Sequence, residues 1–155
     1  MGEYEKIHEW LNLYQAHVAA RRGKRNSAEV IRFEIDLSNQ ISELSNAIQS
    51  KTYRLAPYYQ FIIHDPKQRI IHALHYPDRI VQRCLCDQVL APTIEPKLIY
   101  DNAACRIGKG THFALKRLAS FLSAHFRKYG AKGWALKCDI RKYFDTIDHE
   151  ILLTQ

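Results

Sequence analysis

An aspartate at the end of an apolar run marks the segment best suited to chemistry. Residues 134–152 read WALKCDIRKYFDTIDHEIL, in which Asp139 closes the run and the aromatic Phe144 follows five positions later. A buried carboxylate is costly unless a cation or hydrogen-bond donors meet it. Magnesium is the natural cation for an oxygen ligand beside phosphates. Asp139 is therefore a candidate metal ligand, and a structural aspartate at a strand end is the alternative.

Phe144 stands where it could act together with Asp139. Two-metal phosphoryl transfer needs several carboxylates around ions that lie about 3.5–4 Å apart, and Asp139 could supply one of them. The backbone N–H groups between the two residues could hold a triphosphate, and the ring could lie beneath the sugar and exclude a 2′-hydroxyl. Asp148 is more simply a helix cap. Packing of Phe144 in the core is the alternative for the ring.

A stretch whose charged side chains are all basic precedes this segment. No Asp or Glu lies between Asp101 and Asp139, so the stretch should attract phosphates in a salt-dependent way. A solvated helix face is the alternative, although such faces usually alternate in sign. In Gly108–Lys109–Gly110 the lysine is followed by glycine, where a P-loop has Ser or Thr, so the sequence predicts a flexible basic loop or a plain turn. The basic residues are Arg106, Lys109, Lys116, Arg117, Arg127, Lys128, Lys132 and Lys137.

The totals fit a basic globular protein. The chain has 155 residues and a formal net charge of +7, which suits a polyanionic partner, nucleic acid before a membrane surface. We find neither a secretory signal nor an apolar run long enough to cross a membrane. The cysteines match no zinc spacing, so we expect reduced, mostly buried thiols in a cytoplasmic protein. They are Cys84, Cys86, Cys105 and Cys138.

The elements that must position these residues begin with helices. Apolar spacing predicts one helix over residues 4–20 and a second that starts after Ser27, joined by the basic turn RRGKRN. Two β-rich runs then flank Asp65-Pro66-Lys67-Gln68, which is turn chemistry. This pattern predicts a β-hairpin over residues 58–74, with Lys67 at its tip and Arg69 just inside the second strand.

The rest of the chain reads as helices and one strand. Pro77 suits the start of a helix that Pro92 and Pro96 should break. Thr111 should cap the next helix, Gly130 should end it, and residues 134–140 should form a short strand. A last helix should begin near Asp148. The residues that the Thr111 helix should bury are Phe113, Leu115, Leu118, Leu122 and Phe126.

Three segments together resemble reverse transcriptases. Residues 134–152 are similar to the first catalytic palm motif of that family. Residues 61–79, FIIHDPKQRIIHALHYPDR, resemble its fingers motif, I-x-D-P-K-x-R-x-I followed by D-R, and residues 100–112, YDNAACRIGKGTH, resemble the motif that follows. The three occur in the family's order and cover the chain from about residue 53 onward. The sequences of these segments most resemble those of bacterial retroelement enzymes: the diversity-generating type first, then the group II intron and retron types.

The resemblance implies a role for each matching residue. Asp139 would be the first metal-binding, catalytic aspartate, with the Ile140 carbonyl as a second oxygen ligand for Mg²⁺. Phe144 would be the sugar gate, and Lys67 and Arg69 would reach the phosphates and base of the nucleotide. Further basic residues would be structural or would face the nucleic acid. These are Arg79, Arg106, Lys109, Lys116 and Arg117.

We therefore expect an α+β fold: an N-terminal helical region over 1–52, a fingers region over 53–132, and the start of a palm over 133–155. The partners would be an RNA template, a DNA primer and deoxynucleotide triphosphates, with no membrane. The family's Asp-Asp pair does not occur in the sequence. We thus expect the N-terminal part of an RNA-directed DNA polymerase, inactive alone, whose missing C-terminal part or an accessory protein completes it. The alternatives are a stand-alone basic RNA- or DNA-binding module and an interaction protein that uses its N-terminal helices.

Overall fold

The computed structural model describes residues 2–141 and 143–154, and only the backbone of residues 144 and 145. The chain divides into two compact units, Met1–Ile99 and Tyr100–Gln155. Helices dominate, and an antiparallel two-stranded sheet accompanies them, so the expected α+β class holds at this level. The boundary between the units falls inside the region 53–132. Within the described residues, no helix combines the length and apolarity needed to cross a membrane.

The N-terminal region is helical, but each of the two expected helices is broken once. Glu9 adopts an extended conformation and separates α1 from α2. The amide of Asn12 donates to the Lys6 carbonyl at 2.9 Å and so satisfies an orphan group at the first break. Asp36, at φ −128° and ψ 45°, separates α3 from α4. The helices are α1 Glu3–His8, α2 Trp10–Ala20, α3 Ala28–Ile35 and α4 Leu37–Gln49.

The buried core lies in the first unit. It is built mainly where α2 meets the helix α5, Tyr76–Leu85, with α3 and α4 completing it. Two polar residues, His17 and Asp78, are buried with it. Leu11 and Ile35 are exposed, against the sequence pattern. Leu11 follows the first break, which changes the phase of the helical stripe, and Ile35 lies off the face that Val30 and Phe33 share in α3. The buried apolar residues are Leu13, Ala16, Val30, Phe33, Ile41, Ile48, Tyr76, Ile80 and Cys84.

The predicted hairpin is confirmed. Strand β1, Tyr59–His64, pairs antiparallel with β2, Gln68–Ala73, and residues 65–67 form the turn between them. Lys67 is therefore at the tip, and Arg69 lies opposite Ile63. Side chains alternate across a strand, so Tyr59, Phe61 and Arg69 share one face of the hairpin.

Pro92 does not break the helix that precedes it, and that prediction was wrong. After α5 the chain continues through a π-helical turn, Cys86–Leu90, into α6, Ala91–Ile94, and a 3₁₀ turn, Glu95–Lys97. Ala91 N–H bonds to the Cys86 carbonyl across the wider turn. Proline in a regular helix clashes with the carbonyl four residues earlier. A π turn just before Pro92 changes the spacing there, so the helical path survives the proline.

The second unit contains α7, Thr111–Tyr129, and α8, His149–Thr154, with a 3₁₀ turn at Tyr143–Thr146. Gly130, at φ 71°, ends α7 as predicted. Gly110 rather than Thr111 is the N-cap. The apolar residues of α7 are not buried as predicted, because no other described helix or strand of this unit packs extensively against them. Of the five residues predicted to be buried, Phe113 is half-buried, and the exposed ones are Leu115, Leu118, Leu122 and Phe126.

The strand predicted over residues 134–140 is not formed. These residues have neither helical nor strand structure, and the Trp134 and Leu136 side chains are exposed. A strand needs a neighbour to receive its backbone hydrogen bonds. Within the described residues, the one sheet is the β1–β2 hairpin, so no such neighbour is present for this segment. Asp148, in contrast, caps α8 as predicted: its Oδ1 accepts from the Glu150 and Ile151 N–H groups at 2.9 and 3.1 Å.

Candidate nucleic-acid interface

The hairpin presents two cations to solvent. Lys67 occupies the turn and Arg69 the start of β2, and both side chains are exposed. Neither makes an ion pair with another residue in the described part of the chain. Lysine offers a compact point charge and arginine a planar fork of donors, so the pair suits a ligand with several phosphate oxygens.

Arg79 is engaged in the first unit. Its Nε donates to the Leu74 carbonyl at 2.8 Å, and its Nη2 donates to the Tyr59 hydroxyl at 2.7 Å. Nη2 also lies 3.8 Å from the Glu29 carboxylate of α3. The guanidinium thus ties the base of the hairpin to α3 and α5. Of the two roles that the sequence left open, this geometry favours the structural one.

Arg117 is likewise used within the second unit. Its guanidinium forms an ion pair with Asp101, and Nη2 donates to Oδ2 at 3.1 Å. It also lies 5.3 Å from the Tyr100 ring centre and 4.6 Å from that of Phe121, which is cation–π geometry. The hydrogen bond from Arg117 lowers the pKa of the Asp101 carboxyl. The charge of Arg117 is therefore partly compensated.

Lys109 packs against the same aromatic group. Its Nζ donates to the Tyr100 carbonyl and lies 4.4 Å from the Tyr100 ring centre and 4.8 Å from that of Phe113. Arg106 donates to the Asn102 carbonyl at 3.4 Å. These contacts order the 100–112 segment around Tyr100. Lys116 is exposed on α7 and is not one of the cations that contact the Tyr100 ring. It is therefore a candidate for a basic surface of this unit.

The Gly108–Gly110 loop forms a small basin where α7 begins. Gly108 and Gly110 adopt positive φ angles of 74° and 132°, which glycine tolerates without strain. The basin has a volume of about 300 Å³, and Lys109, His112 and Lys116 contribute to its lining. The loop is thus a turn with a partly basic lining.

Asp139 and Ile140 are in an exposed segment without regular structure. The desolvation argument for a cation at Asp139 therefore does not hold for this geometry. Among the side chains that the structure describes, which exclude that of Asp145, no cluster of three or more His, Cys, Asp and Glu residues could hold a metal ion. The described residues do not by themselves fit a magnesium site. The side chain of Phe144, the expected sugar gate, lies outside the described part.

Two features were not identified as site or core elements from the sequence. Lys24 of the RRGKRN turn lines a groove together with aromatic side chains of the hairpin. Four cations without an acid over residues 21–26 were the available signal. His17 is fully buried: Nδ1 lies 2.9 Å from the Tyr76 hydroxyl and Nε2 lies 3.3 Å from Glu34 Oε1. No periodic pattern indicates a buried histidine.

The free cysteines differ in exposure. Cys84 is buried, Cys86 is partly buried, and Cys105 and Cys138 are exposed. The expectation of mostly buried thiols was therefore wrong. The reason is that Cys105 and Cys138 belong to the second unit, where none of the described apolar residues is buried.

Comparison with known proteins gives no family assignment for this chain. No protein-family model matches this chain, and no curated protein matches it.

Proposed function

We propose that this chain is the nucleotide- and template-binding N-terminal part of an RNA-directed DNA polymerase of the reverse-transcriptase kind. The observation that carries the proposal is the hairpin. It holds Lys67 at its tip and Arg69 on the adjacent strand, and both are exposed without an ion-pair partner among the described residues. Two uncompensated cations on a projecting hairpin are suited to the phosphates of a nucleotide triphosphate.

The roles follow from the chemistry of the two side chains. The Lys67 ammonium would contact the phosphates as a point charge, and the Arg69 guanidinium would bind oxygen atoms in a bidentate way. Arg79 would keep the hairpin base in place through Tyr59. Asp139 would supply one oxygen ligand for magnesium in the complete enzyme, and other carboxylates would have to be added to it. We therefore expect no primer extension by this chain alone.

The test is nucleotide binding to the 155-residue chain. Titration with a fluorescent deoxynucleotide triphosphate should show binding that weakens with salt. Lys67→Ala and Arg69→Ala should each weaken it about tenfold, the effect of losing one charge-assisted hydrogen bond. Arg69→Lys should be intermediate, because it keeps the charge and loses the fork. Lys97→Ala, which removes an exposed lysine elsewhere in the same unit, is the control. Unchanged affinity in both hairpin variants would contradict the proposal.

A second candidate is a nucleic-acid-binding module without catalysis. It is favoured by the exposed position of Asp139, which belongs to no cluster of possible metal ligands among the described side chains, and by the acid-free stretch between Asp101 and Asp139. The two candidates differ in what they require. Strongly salt-dependent RNA binding, with no affinity for the triphosphate and no response to magnesium, would favour the module over the polymerase.

A further inference from the structure

A groove in the first unit runs between the basic α2–α3 turn and one face of the hairpin. Its volume is about 660 Å³, within the range of about 300–1,000 Å³ that is typical of small-ligand sites. Six of the ten residues that line it are aromatic or basic. Those that matter here are Lys24, Tyr58, Tyr59, Phe61, His72 and Arg79.

The aromatic side of the groove is fixed in place. Tyr59 and Phe61 share a strand face, and their rings are stacked with centroids 6.0 Å apart and an interplanar angle of 26°. The Tyr59 hydroxyl accepts the 2.7 Å hydrogen bond from Arg79, which prevents the ring from turning away. Tyr58 is 54% exposed and Phe61 43% exposed. Rings with this much free surface can accept a further flat group by stacking.

The opposite side is basic. The RRGKRN turn contains no acid, and Arg22, Lys24 and Arg25 are exposed. The turn is ordered by backbone hydrogen bonds of 2.9 Å from Lys24 N–H to the Arg21 carbonyl and from Ser27 N–H to the Lys24 carbonyl. Arg21 is occupied by Glu34 at 2.5 Å. The other cations of the turn have no ion-pair partner among the described residues, so they remain available to an anionic ligand.

We propose that this groove binds unpaired nucleotides of a nucleic-acid strand, with bases stacked on Tyr58 and Phe61 and phosphates beside Lys24. Aromatic faces for bases combined with a cationic edge for the backbone are the elements of single-strand recognition. A duplex keeps its bases stacked and would offer only its phosphates. An acidic peptide would use the cations and leave the rings unused. The inference rests on the nucleic-acid partner of the proposed function, but on neither Lys67 nor Asp139.

The test compares ligands that share charge and differ in bases. Fluorescence anisotropy would measure the affinity of the full chain for a short unstructured RNA, the same sequence as single-stranded DNA, a blunt duplex and an acidic peptide. Tyr58→Ala should weaken single-strand binding about tenfold, as expected for one lost stacking contact, and leave duplex and peptide binding unchanged. Tyr58→Leu should behave like Tyr58→Ala, because it keeps an apolar side chain and loses the stack. Lys24→Ala should reduce the salt slope by about one phosphate contact.

Matched controls separate the groove from the surface in general. Ile62→Ala removes an exposed apolar residue on the face of β1 opposite to Phe61, and Lys97→Ala removes an exposed cation that does not line the groove. Both should bind single strands as the wild type does. Circular dichroism would confirm that each variant is folded. Single-stranded RNA and DNA should both bind through the groove, and a preference for RNA would add a contact to the 2′-hydroxyl.

Two results would overturn the inference: single-strand binding by both Tyr58 variants equal to that of the wild type, or an equal loss for duplex and acidic peptide. The proposed polymerase function fails separately. If Lys67→Ala leaves triphosphate affinity unchanged while Tyr58→Ala weakens single-strand binding, the groove stands without the polymerase. If Lys67→Ala lowers triphosphate affinity and Tyr58→Ala leaves single-strand binding unchanged, the polymerase stands without the groove.

Discussion

The imidazole Nδ1 of His17 lies 2.9 Å from the hydroxyl of Tyr76, and both side chains are buried. The contact joins α2 to α5 across the main helix–helix interface of the first unit. Glu34 lies 3.3 Å from the other ring nitrogen, and Arg21 bonds to the same carboxylate oxygen. Burial raises the pKa of Tyr76 to about 12, so this hydroxyl keeps its proton throughout the neutral range.

The first prediction concerns acid stability. Burial lowers the pKa of His17 below its usual value; Glu34 opposes this effect and Arg21 adds to it. The unfolded chain therefore takes up a proton on this histidine before the folded chain does. The free energy of unfolding should be largest above the unfolded pKa of about 6.5 and should decrease as the pH falls below it. Urea unfolding at a series of pH values would measure this.

His17→Gln should remove most of that pH dependence, while His64→Gln, at an exposed position of the hairpin, serves as the matched control. An identical pH slope in His17→Gln and the wild type would assign the acid sensitivity to other groups.

The second prediction concerns the core. Ile80 is fully buried between the N-terminal helices. Ile80→Ala should lower the free energy of unfolding by about 2–5 kcal/mol through lost burial and the remaining cavity. Ile35→Ala removes the same atoms from a side chain that is 79% exposed, so it should change stability by less than about 0.5 kcal/mol. Similar losses in both variants would contradict the position of this core.

The third prediction separates the roles of Arg79 and Arg69. Arg79→Gln removes the hydrogen bonds to Leu74 and Tyr59, each worth about 0.5–1.5 kcal/mol. It should lower stability and speed hydrogen exchange in β1 and β2. Arg69→Gln should do neither, because Arg69 is exposed, and should instead weaken triphosphate binding. Faster exchange in the hairpin of Arg69→Gln alone would reverse the two assignments.

The fourth prediction concerns the thiols. Cys105 and Cys138 are exposed and should react quickly with a disulfide reagent. Burial raises the pKa of the Cys84 thiol to about 11, so Cys84 should react only as the chain unfolds. A double Cys105→Ser, Cys138→Ser variant, followed by thiol titration in buffer and in urea, isolates the slower groups. Fast reaction of Cys84 in buffer would show that α1, whose Lys6 and Ile7 carbonyls lie beside its Sγ, does not cover it.

Turns and helix ends could be predicted from the sequence where a single residue determines the local backbone conformation. Asp65-Pro66 specifies the turn that places Lys67 at the hairpin tip, Gly130 ends α7, and Asp148 caps α8. In each case the side chain or its absence acts on backbone groups a few residues away. Such features need no knowledge of distant contacts.

Features that depend on contacts with residues elsewhere in the chain could not be predicted from the sequence. The break at Glu9 is stabilised by an amide from Asn12, and helical periodicity carries no sign of it. The apolar residues at Trp134 and Leu136 indicated a strand, but a strand forms only where another strand can pair with it. The same reasoning applies to Asp139, whose expected burial required that strand. The positions of Lys67 and Arg69 on the hairpin were therefore predictable, and the strand that should position Asp139 was not.

The hairpin is held near its base, where Arg79 bonds to Tyr59 and to Leu74. Each strand has six residues, which corresponds to a projection of about 20 Å. The hairpin can thus act as a lever arm whose pivot is this arginine. By simple trigonometry, a tilt of about 10° at the pivot would displace the Lys67 end by about 3 Å over that length. In the proposed role of Lys67, a displacement of this size would decide whether its ammonium group reaches a phosphate oxygen.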